Sequence, residues 1–254
     1  MTLAAYQEAI DWSLSEGVPV GLECDVQLTA DDELVCLHDQ RLGRTVRAGG
    51  RVRDWPLALL RELDFGSWRT PEPTPAQRSI VTLAELLALV HAARQRGADV
   101  TAVIETKHFR ERSLEVERRV CAMLAGYGWL EDGSPVRLIT FSRPGAELLA
   151  ELAPAVDRTL LVERSLAPYV DGSLPEGIGV LGVDLKLLRL DPGIVARAED
   201  HGHQVHVWTV NEPNDIRFCR AVGVTGFTTD GPDRVLSILG GQLAPTGPRS
   251  SLAA

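Results

Sequence analysis

No stretch of the 254 residues approaches the roughly 20 consecutive apolar positions that a membrane-spanning helix requires, so stable membrane insertion is not expected. No leader is expected either, since Met1 runs straight into a helical pattern with no basic-then-apolar segment, and the expected compartment is cytoplasmic. Cysteine is scarce. Cys24, Cys36, Cys121 and Cys219 show no zinc-type spacing and sit inside apolar runs, so they are expected to be reduced, buried, small hydrophobes. Positive charge is in deficit. A formal net charge of −9 with no block of like charge argues against non-specific nucleic-acid binding and against a charged binding tail. What is present is a hydrophobic content of 44%, enough for a sizeable core and a normal size for one α/β barrel.

The richest stretch runs from Gly21 to Asp39, GLECDVQLTADDELVCLHD. Glu23 and Asp25 are two apart in a strand-like run, and strand side chains alternate, so both carboxylates project from one face while Cys24 points the other way. A polar turn over Thr29–Glu33 leads into a second short apolar run, Leu34–Leu37, that ends in His38-Asp39. A hairpin of this form returns an imidazole to the neighbourhood of the two acids. The cluster suits a hard, oxygen-seeking cation with an acid/base group beside it. The same residues also fit a solvated strand face with a structural histidine, and spacing alone does not separate the two.

Along the chain, Leu3, Tyr6, Ile10 and Leu14 form a helical stripe ending toward Gly17, and Pro19 leads into a strand over Val20–Val26. Gln40 to Ser79 loses regular periodicity, the mark of a functional excursion or an insertion. Thr82 and Glu85 make a capping box for a helix that stops at Gly97. Val100–Thr106 reads as a buried strand, and alternation places Glu105 and Lys107 on one face. Further expected elements are a helix over Ser113–Ala125, a strand over Val136–Phe141, a helix capped by Ser142, and strands over Thr159–Val162 and Val180–Leu185. After these come a helix opened by Asp191-Pro192, strand Gln204–Val210, a helix to Val222, and strand Gly226–Thr229. Alternating strands and helices mean a parallel α/β sheet, in which only the connection carrying His38 is a hairpin. The tail over 241–254, rich in Gly, Pro and Ser, is expected to be disordered.

These residues carry a resemblance. Glu23, Asp25, Val26, Thr29, Asp31, His38 and Asp39 match the pattern of the glycerophosphodiester phosphodiesterase family, with Asp32-Glu33 standing where that family usually places a glycine. Asp64-Phe65-Gly66-Ser67-Trp68, the Ile104-Glu105-Thr106-Lys107 strand end, Trp208-Thr209-Val210-Asn211 and Thr229-Asp230-Gly231-Pro232 are similar to further family phrases. The resemblance implies a TIM (β/α)8-type barrel over 1–240, with 40–81 as an insertion over its mouth. It also implies a metal held by Glu23, Asp25 and Glu105, either Mg²⁺ or Ca²⁺, His38 as the catalytic acid/base group, and Lys107 and Trp208 as substrate contacts. Trp68 is expected either at the substrate or buried in a packed loop.

The reaction implied is hydrolysis of a small-molecule glycerophosphodiester to glycerol 3-phosphate and an alcohol, in lipid and glycerol metabolism. The family's first strand, ending in His-Arg-Gly, has no counterpart before Leu3, so only seven parallel strands are expected and the frame is expected to be weakly active or inactive. A non-catalytic barrel that binds phosphate esters, and a phosphodiesterase acting on another phospholipid, are the competing readings. Nothing in the residues indicates an oligomeric state.

Overall fold

The computed structural model describes residues 1–108 and 114–240, and the tail expected to be disordered lies outside them. Two compact units make up the chain. The first comprises Met1–Thr140 with Glu151–Val156, and the second Phe141–Ala150 with residues from Asp157 onward. Among the described residues no helix is long and apolar enough to cross a membrane.

The first unit opens with α1 (Leu3–Glu16), which Thr2 caps through its hydroxyl at the Ala5 N–H, and which Gly17 ends in the left-handed conformation that residue tolerates best. Strand β1 (Val20–Leu28) pairs antiparallel with β2 (Leu34–Cys36), and β2 pairs antiparallel with β3 (Val81–Thr82), a two-residue strand not read from the sequence. Two short helices, α2 (Leu57–Leu60) and α3 (Pro75–Arg78), lie between β2 and β3. The capping box predicted for Thr82 and Glu85 is present at the start of α4 (Leu83–Gln95). Strand β4 (Val100–Thr106) keeps the expected bounds, and α5 (Glu115–Gly126) and β5 (Val136–Thr140) follow. The expected first residue of α5, Ser113, lies outside the described residues. The strand order here is β3-β2-β1-β4-β5, with β1, β4 and β5 parallel.

Ser142 caps α6 (Arg143–Leu152) through the Gly145 N–H, as expected. The second unit then carries β6 (Asp157–Val162), β7 (Val180–Asp184), α7 (Leu185–Leu190), α8 (Ile194–Asp200), β8 (Gln204–Trp208), α9 (Pro213–Ala221), β9 (Gly226–Phe227) and α10 (Pro232–Ile238). Its strands run parallel in the order β6-β7-β8-β9 over a core that includes Leu181, Val183, Leu188, Ile194, Val207 and Ile216. All seven expected parallel strands are therefore present. One helix is added and one expectation is corrected. Helix α7 was not foreseen, and Asp184 caps it at the Lys186 N–H. Asp191 does not cap α8: that helix starts after Gly193 with no side-chain cap, and Asp191 is paired with Arg197 instead.

The irregular segment from Gln40 to Ser79 has an apolar core of its own. Leu42, Val46, Val52, Leu60, Phe65 and Ile80 are buried together with Val35 of β2. Phe65, and not Trp68, is the aromatic that packs inward. Trp68 is 55% exposed and donates its Nε1–H to the Phe65 carbonyl, which removes the buried-tryptophan alternative. Gly66 has no room for a side chain, because a Cβ there would lie 2.6 Å from the Gln77 carbonyl oxygen.

The Thr29-x-Asp31 part of the motif builds this region. Thr29 Oγ1 donates to Asp31 Oδ1 and accepts from the Glu33 N–H, while Asp31 accepts from the Leu57 N–H at the start of α2. Asp32 takes a positive φ of 62°, as a residue standing in for glycine must, and its carboxylate accepts from Arg119. Asp31→Ala removes the acceptor that joins the turn to α2. It should lower stability in urea by about 1 kcal/mol and increase proteolytic cutting between residues 40 and 79. An Asp31→Ala protein as stable and as protease-resistant as the parent would show that the turn does not hold the excursion.

Candidate active site

The register of two parallel strands assembles the site. Asp25 of β1 is the direct partner of Glu105 on β4, so the face that carries Glu23 and Asp25 also carries Glu105. The opposite face of β1 is apolar and buried, with Leu22, Cys24 and Val26. All four cysteines are buried and none is in a disulfide, as expected. One oxygen from each of Glu23, Asp25 and Glu105 lies within 4.8 Å of the others. Lys107, joined to the ladder by a bond from its N–H to the Val26 carbonyl, reaches over the same face. Its Nζ lies 2.7 Å from Asp25 Oδ1 and 2.6 Å from Glu105 Oε1.

Three carboxylates in so small a space are short of positive charge even with the lysine there. Burial and the neighbouring Asp25 and Glu105 charges push Glu23 up to about 8, against a partial pull from Lys107. Glu105 rises to about 7, chiefly through burial, with Lys107 lowering it and Asp25 raising it. Lys107 itself is held above its ordinary value: burial acts against its charge, and Glu105 and Asp25 outweigh that. Tyr6 of α1 is buried beneath the same strand and donates its hydroxyl to the Glu23 carbonyl, 3.0 Å away. The three carboxylates are hard oxygen donors, and Glu23 and Glu105 retain protons for want of a countercharge, a set that fits a divalent cation.

His38 follows the β2 strand, and its Nδ1 lies 2.8 Å from Asp39 Oδ1. Trp208 ends β8 in the second unit, where its ring stands edge-on to Phe141 at 5.4 Å and its Nε1 is buried without a hydrogen-bond partner. The structure thus gathers Glu23, Asp25, Glu105 and Lys107 on one face of the first unit, ties His38 to its sequence neighbour, and places Trp208 in the other unit. Sequence reading missed Gln27, which continues the Glu23-x-Asp25 alternation and was detectable by that rule. It also missed Arg44, which pairs with Asp39, and Glu117 of α5, fully buried and hydrogen-bonded to His108. No local pattern announces those two.

Comparison with known proteins identifies the family and the fold. A family model described as the glycerophosphoryl diester phosphodiesterase family matches residues 1–234. A probable glycerophosphodiester phosphodiesterase 1 of Mycobacterium tuberculosis is 36% identical over 92% of this chain and 85% of its own length. The glycerophosphodiester phosphodiesterase of Bacillus subtilis is 30% identical over 84% of this chain and 74% of its own. The solved structure of an Oleispira antarctica phosphodiesterase in complex with the product sn-glycerol-3-phosphate has the same fold. It superposes with a TM-score of 0.78 at 22% identity, over 94% of this chain and 90% of that one.

The raised carboxyls set a pH dependence. A carboxyl whose folded pKa exceeds its unfolded value of 4.5 stabilises the fold below that pH, and this contribution is lost as pH rises through about 7 for Glu105 and about 8 for Glu23. Glu23→Gln, which mimics the protonated acid, should therefore stabilise the metal-free protein relative to the parent at pH 8. Near pH 4, below the unfolded value of 4.5, the advantage should vanish. Melting curves of both proteins at the two pH values test this, and a constant difference would mean that Glu23 does not titrate in that range.

Proposed function

The chain belongs to the glycerophosphoryl diester phosphodiesterase family and is a phosphoric diester hydrolase, and we propose that it cleaves glycerophosphodiesters at the face formed by Glu23, Asp25 and Glu105. The observation that carries this reading is the convergence of the three acids, which set strand register brings together at a separation suited to one ion. Glu23, Asp25 and Glu105 would hold Mg²⁺ or Ca²⁺, either of which takes carboxylate oxygens. When bound, the cation supplies charge neutralisation and polarisation at a phosphate oxygen.

The chain's own residues supply the rest. Lys107, kept charged by two carboxylates at 2.7 and 2.6 Å, offers its ammonium to the remaining phosphate charge. His38, whose side chain is 61% exposed, is open to a substrate and serves as the acid/base group, protonating a leaving alkoxide or taking a proton from water. A glycerophosphodiester suits this set of groups, since its single phosphate charge and small alcohol need a cation, a lysine and a proton donor, and no large apolar cavity. A glycerol 3-phosphate product is consistent with the one held by the Oleispira antarctica relative of the fold.

Two sets of variants test the assignment. Glu23→Ala and Glu105→Ala should each lose affinity for Mg²⁺ or Ca²⁺ by calorimetric titration, and unaltered affinity in both would remove the acids from the site. His38→Gln should bind the cation as the parent does. Release of glycerol 3-phosphate from glycerophosphocholine should fall by about 10² to 10⁴ in that variant. Parent-like turnover would take His38 out of the mechanism.

A further inference from the structure

Gln27 is buried on β1, two residues beyond Asp25 and on the same face by alternation. Its side-chain Nε2 donates to two carbonyl oxygens, that of Leu37 at 2.6 Å and that of Asp39 at 3.0 Å. Those carbonyls flank His38. One buried amide on the acid-bearing strand therefore ties down the main chain on both sides of the histidine, and the Leu37 N–H adds a bond to the Asp25 carbonyl at 2.8 Å.

The ring is held by a second set of contacts. His38 Nδ1 lies 2.8 Å from Asp39 Oδ1, and the Arg44 guanidinium grips Asp39 with two prongs, Nε at 2.5 Å from Oδ2 and Nη2 at 3.1 Å from Oδ1. A forked arginine on a carboxylate sets orientation as well as charge. Exposed ion pairs add little stability. With its partner ring and guanidinium open to solvent, this chain of contacts is better suited to orienting His38 than to holding the fold together.

The contacts also choose a tautomer. Burial pushes the Asp39 carboxyl up, but Arg44 and His38 pull it down more strongly and leave it below its ordinary value. An ionised carboxylate only accepts hydrogen bonds, so the ring nitrogen facing it must carry the hydrogen. In the neutral ring Nδ1 is then the N–H, and Nε2 holds the free lone pair.

We propose that Gln27, Asp39 and Arg44 are positioning residues of His38, fixing its backbone, its ring orientation and its Nδ1–H tautomer so that Nε2 is the nitrogen that exchanges protons with substrate. The proposal rests on the reading of His38 as the acid/base group. When His38 acts as an acid, the Nε2–H bond breaks, its proton passes to the leaving alkoxide oxygen, and the neutral ring keeps its Nδ1–H on Asp39. When it acts as a base, Nε2 takes a proton from water, and Asp39 stabilises the imidazolium that results.

Nitrogen-15 NMR of the full chain labelled at histidine tests the clamp without reference to activity, with the His38 resonances assigned by their loss in His38→Gln. The neutral ring of the parent should be in the Nδ1–H form, the reverse of what a free histidine side chain favours in water. Asp39→Asn and Arg44→Gln lie at solvent-accessible positions and spare the buried Gln27, so the fold should survive both. Asp39→Asn should shift the ring toward Nε2–H and lower kcat by about 10- to 100-fold, with KM within about twofold. Arg44→Gln should lower kcat by about 3- to 10-fold, and Arg44→Lys should not restore it, since an ammonium has no fork. A parent ring in the Nε2–H form overturns the clamp whether or not the chain is active, as does Asp39→Asn with parent-like tautomer and kcat. A ring in the Nδ1–H form on a chain that hydrolyses no glycerophosphodiester supports the clamp and overturns the functional reading instead.

Discussion

Repulsion among three carboxylates is the constraint on which the first unit turns. Parallel pairing of β1 with β4 sets Asp25 opposite Glu105, and side-chain alternation adds Glu23 to the same face. Nothing in strand pairing favours that outcome, since like charges on neighbouring strand positions oppose it. The fold offsets the repulsion in two ways. Lys107 places an ammonium between two of the acids, and Glu23 and Glu105 hold protons to far higher pH than a solvated carboxyl would. Apolar burial on the reverse side of β1, through Leu22, Cys24 and Val26, stabilises the strand that has to carry this charge. A site arranged in this way could hold a divalent cation, whose charge would offset the repulsion.

The signature stretch separates into parts with different physical duties. Glu23 and Asp25 supply charge. Thr29, Asp31 and Asp32 supply geometry, closing the turn and carrying the first contact to α2. His38 and Asp39 come after the turn, and the contacts made by Gln27 refer their backbone to the acid-bearing strand. The segment from Gln40 to Ser79 keeps its shape through its own buried residues, and it contributes Arg44 to the histidine end of the site. Placing a functional arginine in such a segment is workable only because the segment is packed.

Much of this was legible in one dimension. Period-two alternation identified the shared face of Glu23 and Asp25 and of Glu105 and Lys107, and capping chemistry located the starts of α4 and α6 at Thr82 and Ser142. The missed elements had weak local signals. A two-residue strand such as β3 has no periodicity to detect, and α7 begins directly at the end of β7 with no intervening turn residues. Asp191-Pro192 has the composition of a helix start, yet Arg197, six residues further along, engages the carboxylate that would have capped it. Phe65 and Trp68 were not distinguishable, because which of two nearby aromatics turns inward depends on the packing around Gly66.

The sequence by itself determined the residue types at the site, the faces they share within each strand, the parallel α/β class and the family. These follow from local rules, alternation and capping, that operate over a few neighbouring residues. Tertiary structure decided which faces meet. The register of β1 on β4 turned two separate acidic strand ends into one cluster, and the carbonyls taken by Gln27 and the fork of Arg44 on Asp39 chose the orientation of His38. Those outcomes depend on distances between residues far apart or unpatterned in the chain. Strand pairing and packing set such distances, and no short window of sequence encodes them.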